Sequence, residues 1–339
     1  MNTVRKISYK WWTLLVTLLL MFGIFWSGCS KKTPNEKVYH VGILCGLDYI
    51  AVIPDSFKAK MTELGYIEGR NIVYSVQRTN FEPVKEKQIL RQFVEDKVDL
   101  IFTFPTEVSM AAKATTKGTK VPVIFAIANI EGTGLVDSVR QPGGNITGVR
   151  YPGPDLAIKR FEVMRELVPD ARRMWIPYQR GYPIVKSQME VLHPAAAAAG
   201  IILIEFPADD AAEIQAELDA RKKLDDIGFD LILFIPEPLS CTDDAFEVMG
   251  RFAYEHKMPI GGILIQVGGY GSLFGINVDV PKTAQQAAIL ADKILKGAPA
   301  GTIPVVSSES FLQINYKVAK QLGVKIPEGL LSRADEIIR

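Results

Sequence analysis

The chain has 339 residues, with 39 Lys and Arg against 38 Asp and Glu, a formal charge of +1, 48% hydrophobic residues, three Cys and three His. That length holds two lobes with a core each. Near-neutrality argues against attachment to nucleic acid through a basic field, three histidines leave little room for a histidine-rich metal site, and three cysteines exclude a disulfide scaffold.

The composition is uneven. Residues 1–28 contain Arg5, Lys6 and Lys10, no acid, and a largely apolar run from Trp11 to Trp26. At about 1.5 Å per residue that run gives a helix of roughly 24 Å, short of the ~30 Å hydrocarbon core. A basic start, an apolar stretch and the small residues Ser27 and Gly28 read as a secretory signal peptide. Cys29 follows directly and resembles the lipidated cysteine of a bacterial lipobox, with Trp26 standing where lipoboxes usually carry an aliphatic residue. Cleavage before Cys29 removes three positive charges and takes the chain from +1 to −2. Residues 29–37 are polar and read as a tether.

From Val38 onward short apolar runs alternate with amphipathic stretches, the pattern of parallel strands with crossover helices. Strands are predicted at Val38–Cys45, Asn71–Gln77, Val98–Thr103 and Val121–Ile127, with helices at Pro54–Leu64, Val84–Glu95 and Glu107–Lys117. Phe57, Met61 and Leu64 share one helical face, and Gly65 ends that helix. The turn-rich segment Gln141–Gly148 is the predicted hinge. A second series follows: strands Met174–Tyr178, Gly200–Phe206, Phe229–Ile235 and Met258–Ile263, and helices Asp155–Leu167, Pro183–Ala199, Asp209–Asp225 and Asp243–His256. Gly-rich Gly268–Asp279 leads into a last helix, Lys282–Leu295, with a further crossing expected near Thr302–Ser310. The fold class is therefore α/β, with two doubly wound lobes. The boundaries read as lobe one at 38–150 plus about 280–303, and lobe two at 151–279 plus about 304–339.

In open α/β sheets ligands bind beyond the carboxyl ends of the strands. Candidate binding residues there are Leu47 and Asp48 after the first strand, Phe104 and Thr106 after the third, and Asn129 after the fourth. In the second series they are Tyr178, Gln179 and Glu237. Thr106 opens a helix, where N–H groups can hold a carboxylate or where its hydroxyl can simply cap. Phe104 and Tyr178 fit either core packing or a platform for a planar solute. Glu237 between two prolines sits in a stiff loop. No nucleophile–base arrangement, Walker A loop or metal-ligand spacing occurs, and His40, His193 and His256 read as surface or packing residues. Neither a catalytic residue nor a cofactor or metal is expected, and Cys45 and Cys241 read as thiols rather than a disulfide.

Leu64–Ile72, Gly132–Val136, Gln141–Val149, Ile294–Gly297 and Ala334–Ile338 resemble, in order and spacing, the recurrent blocks of ABC-transporter substrate-binding proteins of the tryptophan/tyrosine-uptake type. The resemblance implies the type I periplasmic-binding-protein architecture: two Rossmann-like lobes, three hinge strands and a ligand in the cleft. It also implies a partner ABC permease with its ATPase and a small-molecule solute; with the lipobox-like Cys29 and the near-neutral charge, a lipid-anchored monomer that binds no nucleic acid is expected. The chain departs from those relatives where Asn129 and Asn277 stand at positions often filled by Asp, and where Tyr178-Gln179 replaces Asn-Pro. Asn277 thereby joins the candidate ligand residues. An amide can donate as well as accept but gives up a charge-assisted bond to an ammonium. A solute less cationic than an amino acid is expected, unless Asp48 or Glu237 supplies the acid. The expected function is an extracytoplasmic receptor of an ABC importer, at the outer face of the cytoplasmic membrane or in the periplasm. The alternatives are a sensing lipoprotein that signals to a membrane kinase or chemoreceptor, and an exported α/β enzyme.

Overall fold

A computed structural model describes residues 37–46 and 52–339. Cys29, Leu47 and Asp48 lie outside the described residues. Strands β1 (Tyr39–Cys45), β2 (Ile72–Arg78), β3 (Leu100–Phe104), β4 (Val123–Ala128), β5 (Ile146–Arg150) and β13 (Val306–Ser307) form one sheet in the order β13-β5-β4-β3-β1-β2, every pair parallel. A parallel sheet is covered on both faces, so its strands are apolar throughout. β3, Leu-Ile-Phe-Thr-Phe, is buried at every position. Ile43, Phe102 and Ile124 pack with α1 (Val52–Glu63) and α8 (Val280–Leu295). The alternate residues Ile101, Val123 and Phe125 pack with α2 (Pro83–Glu95) and α3 (Thr106–Thr116). Gly42 lets α2 approach, since a Cβ there would lie 2.6 Å from the Phe93 ring.

The second sheet, also parallel, has β6 (Arg173–Gln179), β7 (Ile202–Ala208), β8 (Leu231–Leu233) and β9 (Ile260–Gly261) in the order β7-β6-β8-β9. Helices α4 (Gly153–Leu167), α5 (Pro183–Ala199), α6 (Ala211–Arg221) and α7 (Asp243–Glu255) alternate with its strands. A single bridge, Gly262 to Gly275, links this sheet to β12 (Phe274–Val278), which pairs with β14 (Ser310–Asn315) and through it with β15 (Glu336–Ile338). Between them β10 (Gln266–Val267) and β11 (Tyr270–Gly271) make a hairpin whose turn residues, Gly268 and Gly269, have φ of 59° and 87°. Such a turn favours glycine at both positions. Short helices α9 (Tyr316–Leu322) and α10 (Glu328–Leu331) complete the chain before β15.

The chain passes between the sheets at 150–153, at 278–280 and at 308–310. Gln141–Gly148 is not the hinge, because β5 continues in the first sheet as far as Arg150. Its glycines serve close backbone packing instead: Gly143 N–H donates to Gly301 O at 3.0 Å, and a Cβ on Gly301 would come within 2.3 Å of Gly144 O. β13 keeps the chain in the first sheet as far as Ser307, so the third crossing falls at the end of the Thr302–Ser310 stretch, a few residues past the lobe boundary of about 303. β8 is shorter than Phe229–Ile235, since Pro236 and Pro238 carry no N–H for a ladder and the chain turns away. No disulfide joins Cys45 and Cys241.

Candidate functional site

Residues at the carboxyl ends of both parallel sheets line one cavity of about 190 Å³. From the first sheet come Thr106, at the start of α3, and Ile127 and Asn129, at the end of β4. From the second come Glu237 and Cys241, in the loop after β8. Tyr151 and Val278, at two of the crossings, and Tyr182 and Ile184, at the start of α5, form further parts of the wall. The volume is below the roughly 300–1,000 Å³ of drug-sized pockets and suits a metabolite of modest size.

The N-terminus of α3 opens onto this space. Pro105 occupies the N-cap position without a side-chain bond, and Thr106 is the first helical residue. Thr106 therefore does not cap its own helix. Its Oγ1 accepts the Asn129 N–H at 3.0 Å, which ties α3 to the end of β4 and leaves the hydroxyl proton available. The first-turn N–H groups lack intrahelical acceptors and carry the positive end of the helix dipole. Asn129 is 1% exposed, and neither its Oδ1 nor its Nδ2 has a hydrogen-bond partner. An unsatisfied buried amide costs about 1–3 kcal/mol, so its retention asks for a partner. Gly153, at the start of α4, makes room for it: a Cβ there would lie 2.8 Å from Asn129 Oδ1.

Ile127 is held in the left-handed region, φ 48°, and the β4–β5 register shifts between Ala126 and Ala128. A bulge of this kind re-aims one side chain, and a β-branched residue at positive φ is an outlier that stores strain. Here the re-aimed side chain is the one that lines the cavity.

Glu237 is 4% exposed, but its carboxylate is turned into its own loop. Oε2 accepts N–H groups of Gln179 at 3.0 Å and Leu239 at 2.9 Å, and Oε1 accepts that of Ser240 at 2.7 Å. Burial raises its pKa against the pull of those bonds. The stiff loop is thus anchored by Glu237. Cys241 has accessible surface because it borders the cavity, yet protein surrounds its sulfur on the other sides. Burial and the nearby Glu237 charge push its thiol pKa up to about 12. It is a neutral thiol at physiological pH.

Of the residues expected from the sequence, the structure brings Thr106, Asn129 and Glu237 together at the cavity and leaves four elsewhere. Phe104 is fully buried in the first lobe's core, 5.2 Å from the Phe102 ring. Tyr178 donates to Glu205 Oε2 at 2.7 Å and lies in a separate surface groove with His193; burial and that carboxylate raise its pKa to about 12. Gln179 contributes its backbone N–H to Glu237. Asn277 donates to Gln313 Oε1 at 3.0 Å across the β12–β14 pair, on the strand face opposite Val278. Tyr151, Ile127 and Cys241 are cavity residues that reasoning from strand ends missed. For Tyr151 the available signal was the Pro152-Gly153-Pro154 break that follows it.

The sequence pattern of the family described as "ABC transporter substrate binding protein" matches residues 48–338. A relative from Clostridioides difficile (strain R20291), named "Tyrosine-binding protein", is 28% identical over 308 residues, covering 87% of this chain and 84% of its own. A domain from Streptococcus pneumonia solved in complex with L-Trp superimposes with a TM-score of 0.75 at 24% identity, over 89% of this chain and 100% of that one. A conserved domain protein from Vibrio cholerae gives a TM-score of 0.74 at 26% identity, over 89% and 100%. Two lobes of parallel sheet, a cavity between their strand ends and a match that spans nearly the whole described chain agree: the protein belongs to the ABC transporter substrate-binding proteins and is an extracytoplasmic solute-binding protein.

Proposed function

We propose that the chain captures a small aromatic solute bearing a carboxylate, and that the solute sits in the cavity between Thr106, Asn129, Tyr151 and Glu237. The observation that carries this reading is the buried, unpartnered amide of Asn129 beside the open N-terminus of α3. Together they offer an anion several donors and a helix dipole in a site shielded from water. The apolar walls from Ile127, Ile184 and Val278 suit a ring. The relative named for tyrosine and the neighbour holding L-Trp support the aromatic class. Among the described lining residues, Glu237 is the sole acid, and its oxygens already serve three N–H groups. None of the described lining residues is reserved for an ammonium, and on this reading the amine of an amino acid is tolerated rather than required.

Solute binding draws the lobes together about the segments at 150–153, 278–280 and 308–310, and the closed form docks on a permease coupled to its ATPase. Cys29 carries the lipid that keeps the receptor, a monomer, at the membrane face. Cys45 and Cys241 remain thiols, which leaves the lobes able to separate.

A thermal-shift series tests the solute class. L-tyrosine, L-tryptophan and 3-(4-hydroxyphenyl)propionate should each raise the midpoint, a ligand at 100 times its Kd adding about 2.7 kcal/mol. Tyramine, which has the ring and amine without the carboxylate, should give no shift. A shift with tyramine equal to that with tyrosine would overturn the reading.

A further inference from the structure

Arg160, on α4, is 1% exposed and has no carboxylate within ion-pairing distance among the described residues. Its Nε donates to Gly262 O at 2.7 Å, and Nη2 donates both to Tyr151 OH at 2.9 Å and to Ile276 O. Those bonds use three of the five N–H donors of a guanidinium. Both donors on Nη1 are buried and have no partner. A buried charge is normally paired, and one left without a counter-ion is costly.

The charge stands directly behind the cavity wall. Tyr151 lines the cavity and accepts from Arg160 through its hydroxyl oxygen, which leaves the hydroxyl proton for a further acceptor. Burial raises the Tyr151 pKa more than Arg160 lowers it, so the group stays a neutral donor. Arg160 also acts electrostatically on the Cys241 thiol, another lining group. The cavity therefore has two donor-rich ends: α3 with Asn129 in one lobe, and the Tyr151 hydroxyl backed by a guanidinium at the crossing into the other.

We propose that Arg160 and Tyr151 form a second recognition point, reading an oxygen acceptor on the ring of the solute at the end remote from its carboxylate. The acceptor is a phenolic oxygen or a second carboxylate. Tyr151 makes the contact, and Arg160 is a positioning residue that polarises it and whose free Nη1 edge supplies the counter-charge. This rests on the aromatic-carboxylate reading above and adds which ring substituent is selected.

The test is calorimetric titration of the full chain, wild type, Tyr151→Phe and Arg160→Met, with L-phenylalanine, L-tyrosine and 4-carboxy-L-phenylalanine. The wild type should prefer tyrosine over phenylalanine by about 10-fold or more, as expected for a hydrogen bond to a charge-backed donor. Both variants should reduce that preference to within about 3-fold. Tighter binding of 4-carboxy-L-phenylalanine than of tyrosine identifies a second carboxylate as the acceptor, and the reverse identifies the phenol. The melting point gives a readout that separates a merely structural role. Arg160→Met removes a buried charge but also the donor to Gly262 O and Ile276 O, so its ligand-free melting point is expected to fall, and the tyrosine-to-phenylalanine ratio must fall with it. A large fall in its melting point with an unchanged tyrosine-to-phenylalanine ratio would overturn the proposal. Retention of the ratio in the shape-conserving Tyr151→Phe would overturn it as well. If wild type binds none of the probes, the aromatic-carboxylate reading fails and this one falls with it; if wild type binds them without discrimination, only this one fails.

Discussion

Asn129 shows how a single residue can be poor for stability and right for binding. Its amide is enclosed on one side by Gly153 and finds no partner in the chain. Asn129→Leu, close in size and without polar atoms, should therefore raise the ligand-free stability by about 1 kcal/mol in urea denaturation. The same change should weaken tyrosine binding by at least ~10-fold, and a variant that gained stability while keeping its affinity would contradict the assignment. Thr106 and Asn129 were legible in the sequence because they follow apolar runs in the place where parallel sheets put their ligands. Phe104 follows the same rule and is core, since side chains alternate and the last residue of a strand faces either a helix or the cleft. Ile127 could not be read at all: its placement depends on a one-residue register shift, which composition and periodicity do not encode. Arg160 was equally hidden, because on its helix it reads as one more charged residue of a solvated face.

At the scale of elements, the alternation of apolar runs and amphipathic stretches located helices α1 to α8 and strands β1 to β4 and β6 to β9, with ends that differ by up to a few residues, but assigned no strand to β5 or to the short β10 to β15 and no helix to α9 or α10. The largest departures are β8 and β9, where prolines and a glycine at φ 117° cut the ladder short. Ladder starts are fixed by side chains that sequence patterning does not reveal. Asp230, just before β8, accepts the N–H groups of Arg172 at 2.7 Å and Arg173 at 2.9 Å, and the Arg173 guanidinium at 2.9 Å. Burial pulls its pKa up, but these bonds outweigh burial and hold the carboxyl below the usual range. A carboxylate with a lowered folded-state pKa stabilises above its unfolded value, about 3.9, and that contribution is lost as pH falls through the folded value. Asp230→Ala should cost about 1–2 kcal/mol at pH 7. The gap from wild type should narrow from about pH 4 downward. A gap independent of pH across that window would show that the lost bonds act through shape and not through charge.

For the whole molecule, the two sheets were legible as two series of strands, but the first hinge segment was placed too early, in Gln141–Gly148. Gln141–Gly148 has every turn signal and yet belongs to the first lobe, while the crossings at 278–280 and 308–310 contain neither Gly nor Pro. Arg150 connects two of them: its Nε donates to Ser307 Oγ at 2.8 Å, its guanidinium pairs with Glu131 and with Asp155 at 3.0 Å, and its carbonyl accepts the Ser308 N–H at 2.9 Å. Removing that side chain should loosen how the lobes are held without touching the cavity wall. Arg150→Ala is expected to increase the radius of gyration of the ligand-free protein in small-angle scattering and to weaken tyrosine binding a few-fold, the cost of closing a wider population of open states. Unchanged scattering with unchanged affinity would remove Arg150 from the hinge. The central claim, that solute is gripped between the α3 N-terminus and the crossing at Tyr151, is tested most directly by hydrogen exchange with peptide resolution, with and without saturating L-tyrosine. Amides at 106–108 and 129–130 and those of Tyr151 and Gly153 should gain protection together, since they belong to both sides of one cavity. Protection confined to a single lobe, or focused on the groove beside Tyr178 and His193, would contradict it.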